Sequence, residues 1–268
     1  MDMKESVIKN LKILREKGPL VQSITNYVVM NNTANALLAI GASPIMAHAK
    51  LEMADMVKIV NALVVNIGTL DEFWVDSMLL AAKEANERNT PWVLDPVGAG
   101  ATPYRNDTLT RLLTFRPTII RGNASEIMAL AKANVQTKGV DSAHSSDEAL
   151  AFGKQLSKEA SAVVCISGAV DYVIDGDKLT RIKNGHELMG KVTGMGCTAT
   201  ALVAAFAAVE PDPYLATVAG MTVMGLAGEI AARKAEGPGT LQLYLYDALY
   251  HLKESEVKQW AKVEESDD

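Results

Sequence analysis

Leu63-Val-Val-Asn-Ile67 followed by Gly68-Thr69, a helical stretch from Asp71 to Asn89, and Pro91-Trp-Val-Leu94 ending at Asp95-Pro96 together decide the fold. Both apolar runs are short and continuous, as in strands covered on two faces. The helical stretch is long enough to carry the chain back to a parallel neighbour. The same alternation continues outward. Upstream, Lys4 to Lys17 reads as an amphipathic helix with Val7, Ile8, Leu11 and Leu14 on one face, ended by Gly18-Pro19. Leu20 to Thr25 reads as extended, and Asn31 to Ile40 as a helix capped by Gly41. Pro44 to Ala47 reads as a short strand and Glu52 to Val60 as a helix.

Downstream, a glycine turn (Gly98, Gly100) leads to a helix near Asp107 to Phe115. Thr118-Ile-Ile120 is a predicted strand, Glu126 to Lys132 a helix, and Lys138 to Ser146 a polar surface loop. Asp147 to Glu159 is helical and Ala162-Val-Val-Cys-Ile166 extended. Asp171 to Ile174 and Lys178 to Ile182, parted by Asp175-Gly-Asp177, read as a β-hairpin. Helices from Thr198, Asp212 and Thr240 finish the chain. The pattern implies an α/β fold, with a mainly parallel central sheet covered by helices on both faces. No linker, low-complexity segment or repeat divides it, so residues 1–268 read as one domain, with a frayed acidic tail at 263–268.

Composition narrows the function. Nearly half the residues are apolar, enough for a substantial core. The net charge of −6 and the lack of long basic runs argue against nucleic acid as a partner. No stretch reads as a charge-free membrane span, and Met1 to Leu11 has no apolar signal core. Two cysteines, Cys165 and Cys197, fit a reducing, cytoplasmic location. Four scattered histidines without ligand spacing argue against structural zinc, and His48 and His144 read as surface or loop residues.

Ligands of open α/β sheets collect beyond the carboxyl ends of strands. Three polar clusters stand there: Asp95, Arg121 to Glu126, and Ser167-Gly168. Asp95 and Glu126 could hold Mg²⁺, a hard cation that takes oxygen ligands. Asp95 could equally be a turn residue before Pro96. Glu126 could equally close a capping box with Asn123, and the two roles are compatible. Arg121 could grip phosphate or make a surface ion pair.

Lys191-Val-Thr-Gly-Met-Gly-Cys-Thr-Ala-Thr200 adds a glycine turn feeding an apolar helix. Such a turn offers free N–H groups and a positive dipole end, so Gly194, Met195, Gly196 and Cys197 are candidates for an anion hole. The helix field would lower the Cys197 thiol pKa, and the alternative is an inert buried Cys. Near the N-terminus, Ser23-Ile-Thr-Asn-Tyr27 and Asn31-Asn32 place amides beside Met46, suited to a neutral heteroaromatic substrate or to turn and cap duty.

Five segments in order resemble the signatures of the hydroxyethylthiazole kinase family. They are Gln22-Ser-Ile-Thr-Asn26, Gly41-Ala-Ser-Pro-Ile-Met46, Leu94-Asp-Pro-Val97, Ile120-Arg-Gly-Asn-Ala-Ser-Glu-Ile127 and Val192-Thr-Gly-Met-Gly-Cys197. The resemblance implies a ribokinase-like fold and Mg²⁺-dependent transfer of the ATP γ-phosphate to a thiazole alcohol in thiamine biosynthesis and salvage. It also implies a homotrimer with thiazole sites at subunit boundaries. By the same resemblance, Asn26, Met46 and Gly194 fall at the thiazole, Arg121 and Ser167 at ATP, and Asp95 and Glu126 near Mg²⁺. Cys197 stands where the wider ribokinase-like superfamily usually has an Asp base. Met195 is a departure where the family often has Thr, removing a hydroxyl while keeping the backbone donor. The competing readings are a pyrimidine, pyridoxal or sugar kinase, a non-catalytic sensor, and a thiol hydrolase. The last needs a His base that no motif supplies.

Overall fold

The computed structural model describes residues 2–134 and 146–266. Helix α1 (Met3–Lys17) leads to β1 (Leu20–Ile24), α2 (Met30–Ile40) and β2 (Ser43–Ile45). A 3-10 turn, Lys50–Glu52, precedes α3 (Met53–Ile59), β3 (Ala62–Asn66), α4 (Glu72–Arg88) and β4 (Trp92–Asp95). Next come α5 (Pro103–Leu113), β5 (Ile119–Asn123), α6 (Ala124–Asn134) and α7 (Ser146–Ala160). The hairpin strands β7 (Asp171–Asp175) and β8 (Lys178–Ile182) follow β6 (Val163–Ser167). A 3-10 segment, Glu187–Lys191, introduces α8 (Met195–Ala207), α9 (Pro213–Ala232), α10 (Pro238–His251), α11 (Glu254–Trp260) and β9 (Val263–Ser266).

Among the described residues the strands form one sheet in the order β2-β1-β3-β4-β5-β6-β7-β8-β9. Neighbours from β2 to β6 run parallel, and β7 to β9 are antiparallel. The apolar runs are continuous because alternate residues serve two cores. Val64, Val93 and Ile119 pack with α1, α2, α8 and α9, while Leu63, Val65, Leu94 and Ile120 pack with α3 to α7. The order of strands reverses at β1, whose parallel neighbours are β2 on one side and β3 on the other. That switch opens a crevice at the carboxyl ends of β1 and β3.

Three expectations need correction. The acidic tail is not frayed as far as Ser266: Val263 to Ser266 pairs with Ile182 to Leu179, covering what would be the open edge of β8. Helix α11 and this strand were not foreseen. Helix α5 starts at Pro103, where Thr102 accepts the Arg105 N–H and Pro103 takes the first helical position. Helix α9 is long and apolar enough to cross a membrane but carries Glu229, so the expectation of no charge-free span stands; it is mostly buried between α8, α10 and α1. The segment Lys138 to Ser146 lies outside the described residues up to Ser146, which begins α7.

Candidate active site

Gly194 is the N-cap of α8 at φ +81°, and a Cβ there would fall 2.5 Å from Val29 Cγ1. Left-handed backbone and lack of space both demand glycine. The helix begins at Met195, ahead of the expected Thr198, which puts Cys197 in its first turn. No side chain caps this end. The N–H groups of Met195, Gly196 and Cys197 therefore lack intrahelical acceptors and share the positive end of the dipole.

Beside this turn lies a cleft of about 470 Å³, lined by Arg121, Ser167, Gly168, Asn184, Met189 and Met224 among others. Its size suits a small-molecule ligand. Arg121 is buried, and its Nη2 donates to Ser167 Oγ at 2.5 Å. Its Nε has no partner among the described residues. A buried guanidinium with a spare donor is poised for an anion rather than for a surface pair. Asp171, which sequence reasoning missed, accepts the Gly168 N–H at 3.0 Å. Burial raises its carboxyl to about 6, against the pull of that N–H and of Arg121. Asn184 fixes another wall: it accepts Lys262 N–H and donates to Glu229 and to Trp260 O. The C-terminal segment thus braces the cleft.

Asp95 ends β4 fully buried. Its Oδ2 accepts Asn66 Nδ2 at 2.7 Å and Thr200 Oγ1 at 2.8 Å, while Oδ1 has no partner among the described residues. Burial raises this carboxyl to about 6; Arg121 opposes the shift and Glu126 adds to it. The turn-residue reading does not explain such a buried acid. Glu126 does close the capping box: Oε2 accepts Asn123 N–H and Asn123 Oδ1 accepts Glu126 N–H, both at 2.9 Å. Its Oε1 also accepts Gly98 N–H at 3.0 Å, tying the glycine turn to α6.

Cys197 is half-buried, and Asn26 Nδ2 donates to its Sγ at 3.6 Å. The expected lowering of its pKa is overturned. Burial, then the charge of Asp95, push the thiol up to about 11, outweighing hydrogen bonds from Asn66 and Asn26. Asn26 also donates to Asn66 Oδ1 at 2.9 Å. Gly68 makes room for it, since a Cβ there would meet Asn26 Nδ2 at 2.6 Å. Asn66 was missed because it reads as one residue of an apolar strand. Its signal was a lone amide at a strand's carboxyl end.

Met46 is half-buried and is joined to this corner through His48. His48 Nδ1 donates to Met46 O at 2.8 Å, and Nε2 accepts Thr25 N–H at 3.2 Å. The second bond selects the Nδ1–H tautomer. The ring also stacks on Trp74 at 4.3 Å. His48 is therefore a clamp and not the unpartnered loop residue expected from sequence. Asn31 accepts Asn35 along the exposed face of α2, away from the network. His144 lies outside the described residues.

Comparison with known proteins places these features in context. Residues 11–255 match the profile described as the hydroxyethylthiazole kinase family. The chain is 54% identical over 256 residues to a hydroxyethylthiazole kinase of Leptospira biflexa, covering 95% of this chain and 96% of that one. It is 51% identical over 259 residues to that of Methanococcus maripaludis, covering 96% and 97%. The solved structure of a hydroxyethylthiazole kinase protein from Pyrococcus horikoshii superposes with a TM-score of 0.92 at 44% identity, covering 98% and 99%. A Staphylococcus aureus pyridoxal kinase in complex with AMP-PCP and pyridoxal shares the fold, with TM-score 0.67, 15% identity and coverage of 92% and 98%.

Proposed function

The chain belongs to the hydroxyethylthiazole kinase family, and from that premise we infer how its site works. Its activity is ATP-dependent phosphorylation of the primary alcohol of 4-methyl-5-(2-hydroxyethyl)thiazole, in thiamine biosynthesis and salvage. The observation that carries this assignment is high identity over nearly the whole chain.

Phosphoryl transfer is mostly positioning and charge stabilisation. Arg121 and Ser167 bind the triphosphate in the cleft, and the N–H groups of Gly194 to Cys197 hold the transferring phosphoryl. The buried Arg121 and the uncapped α8 terminus support that division. Asn26, Met46 and Gly194 hold the thiazole, placing its hydroxyl beside Cys197. A thiol raised to about 11 stays protonated at neutral pH, so Cys197 positions the alcohol rather than deprotonating it. A loose transition state releases the alcohol proton late, which suits a site without a strong base.

Mg²⁺ fits the remaining groups. The free oxygen of buried Asp95, with Glu126 nearby, offers hard donors. Two carboxylates are enough for an ion that keeps waters and phosphate oxygens as its other ligands. When bound, Mg²⁺ offsets the phosphate charge. A homotrimer with thiazole sites at its boundaries completes the reading. Support comes from the exposed apolar side chains Tyr27, Val28, Leu51 and Phe73, with Tyr27 beside Trp74 in the His48 clamp. The free cysteines Cys165 and Cys197 fit the cytoplasm.

A coupled ADP-release assay compares the thiazole alcohol with pyridoxal and hydroxymethylpyrimidine, with and without Mg²⁺. Turnover is expected with the thiazole alcohol and only with Mg²⁺. Preference for another alcohol would reassign the acceptor, and binding without turnover would leave a sensor. Light scattering checks the trimer.

A further inference from the structure

The amide of Asn66 stands between the two halves of the site. It is buried at the end of β3, in register with Asp95 at the end of β4. Its Nδ2 donates to Asp95 Oδ2 at 2.7 Å. Its Oδ1 accepts from Asn26 Nδ2 and from Gly68 N–H, both at 2.9 Å. These bonds fix which end is oxygen and which is nitrogen, since only one orientation gives every group a partner. Asn26 in turn donates to Cys197 Sγ at 3.6 Å. On the other side, Asn66 and Thr200 both hold Asp95 Oδ2, which leaves Oδ1 the free oxygen of that carboxylate.

We propose that Asn66 is a positioning residue that couples the thiazole corner to the metal-side carboxylate, so that the alcohol and the Mg²⁺-nucleotide each strengthen the binding of the other. The proposal rests on the kinase reading above. A buried amide whose oxygen and nitrogen are both hydrogen-bonded has few alternative arrangements. Ordering Asn26 by the alcohol therefore orders the Asn66 amide, and with it Asp95. Linkage requires the effect to run equally in both directions. Thr200 provides the contrast, because it holds the same Asp95 oxygen but bonds neither Asn26 nor Gly68.

Titration calorimetry tests the coupling. Thiazole alcohol affinity is measured with and without Mg²⁺ and a non-hydrolysable ATP analogue, for the wild-type protein, Asn66→Ala and Thr200→Val. The wild-type protein should bind the alcohol roughly 5-fold or more tightly with the analogue present. Asn66→Ala should lose that gain, and its kcat should fall ~10- to 100-fold while its KM for ATP at saturating alcohol rises by about the factor lost for the alcohol. Thr200→Val should keep the gain. Asn66→Ser replaces Asn66→Ala if the latter fails to fold, and a melting curve reports folding for each variant. Three results would overturn the proposal: no coupling in the wild-type protein, coupling retained in the Asn66 variant, or equal loss in Thr200→Val. A wild-type protein that shows coupling but never phosphorylates the alcohol would sink the kinase reading and leave this proposal standing.

Discussion

Gly196 lies directly under the Arg121 guanidinium: a Cβ on Gly196 would fall 2.6 Å from Arg121 Nη1 and 3.1 Å from Nη2. A glycine in the first turn of α8 thereby seats the arginine that lines the cleft. In Gly196→Ala the atom that must move is the tip of a long side chain, so the fold should survive. Ala also favours helix over Gly by up to ~1 kcal/mol. The expected result is an unchanged or higher melting temperature together with a KM for ATP raised about 10-fold, the loss of roughly one charge-assisted phosphate contact. Steady-state kinetics beside a thermal melt measure both.

The raised Cys197 thiol gives a second test. Burial and the charge of Asp95 push it up to about 11, so the reactive thiolate is scarce at pH 8. Iodoacetamide should alkylate Cys197 more slowly than free cysteine at that pH, as read by mass spectrometry. In Cys197→Ala, the thiazole KM should rise more than kcat falls. A kcat that collapses at constant KM would restore Cys197 as a base.

Asp171 makes stability depend on pH. Its folded pKa of about 6 lies above the ordinary carboxylate value, so the folded protein binds this proton more tightly than the unfolded chain. The associated stability is present below about pH 4 and is lost as pH rises through about 6. Asp95 shifts the same way. Asp171→Asn keeps an acceptor for the Gly168 N–H but cannot ionise. The fall in melting temperature between pH 4 and 7 should be shallower in this variant than in the wild-type protein.

Glu126 carries two separable duties. Glu126→Ala leaves the N–H groups of Asn123 and Gly98 without their acceptor, and should cost about 0.5–2 kcal/mol, the usual worth of a cap. Glu126→Gln removes the charge but retains one acceptor oxygen. It should raise the Mg²⁺ concentration required for half-maximal turnover while losing less stability than the alanine variant. Chemical denaturation and an Mg²⁺ titration separate the two.

The chain order and the site differ in how readily they are read. Strands such as Leu63 to Ile67 and Trp92 to Leu94 announce themselves because burial on two faces leaves a continuous apolar run. Asp95, Arg121 and Ser167 stand out as polar residues at strand ends, and Gly194 to Cys197 as a glycine turn before an apolar helix. The strand Val263 to Ser266 gave no such sign: its Glu-rich sequence extends only because β8 needs an edge partner. His48 looked idle because Thr25, Met46 and Trp74 meet its ring only after folding.

Periodicity, strand ends and the glycine turn, local properties of the chain, determined the α/β architecture and most candidate site residues. The tertiary structure alone decided their states. The helix field read from sequence would make Cys197 a ready thiolate, but burial beside Asp95 reverses its shift. It likewise left Asp95 one oxygen without a partner among the described residues and brought the strand residue Asn66 into bonds with both Asp95 and Asn26. Desolvation and long-range hydrogen bonds depend on what surrounds a group in space, and neighbours distant in sequence supply those surroundings only when the sheet has formed.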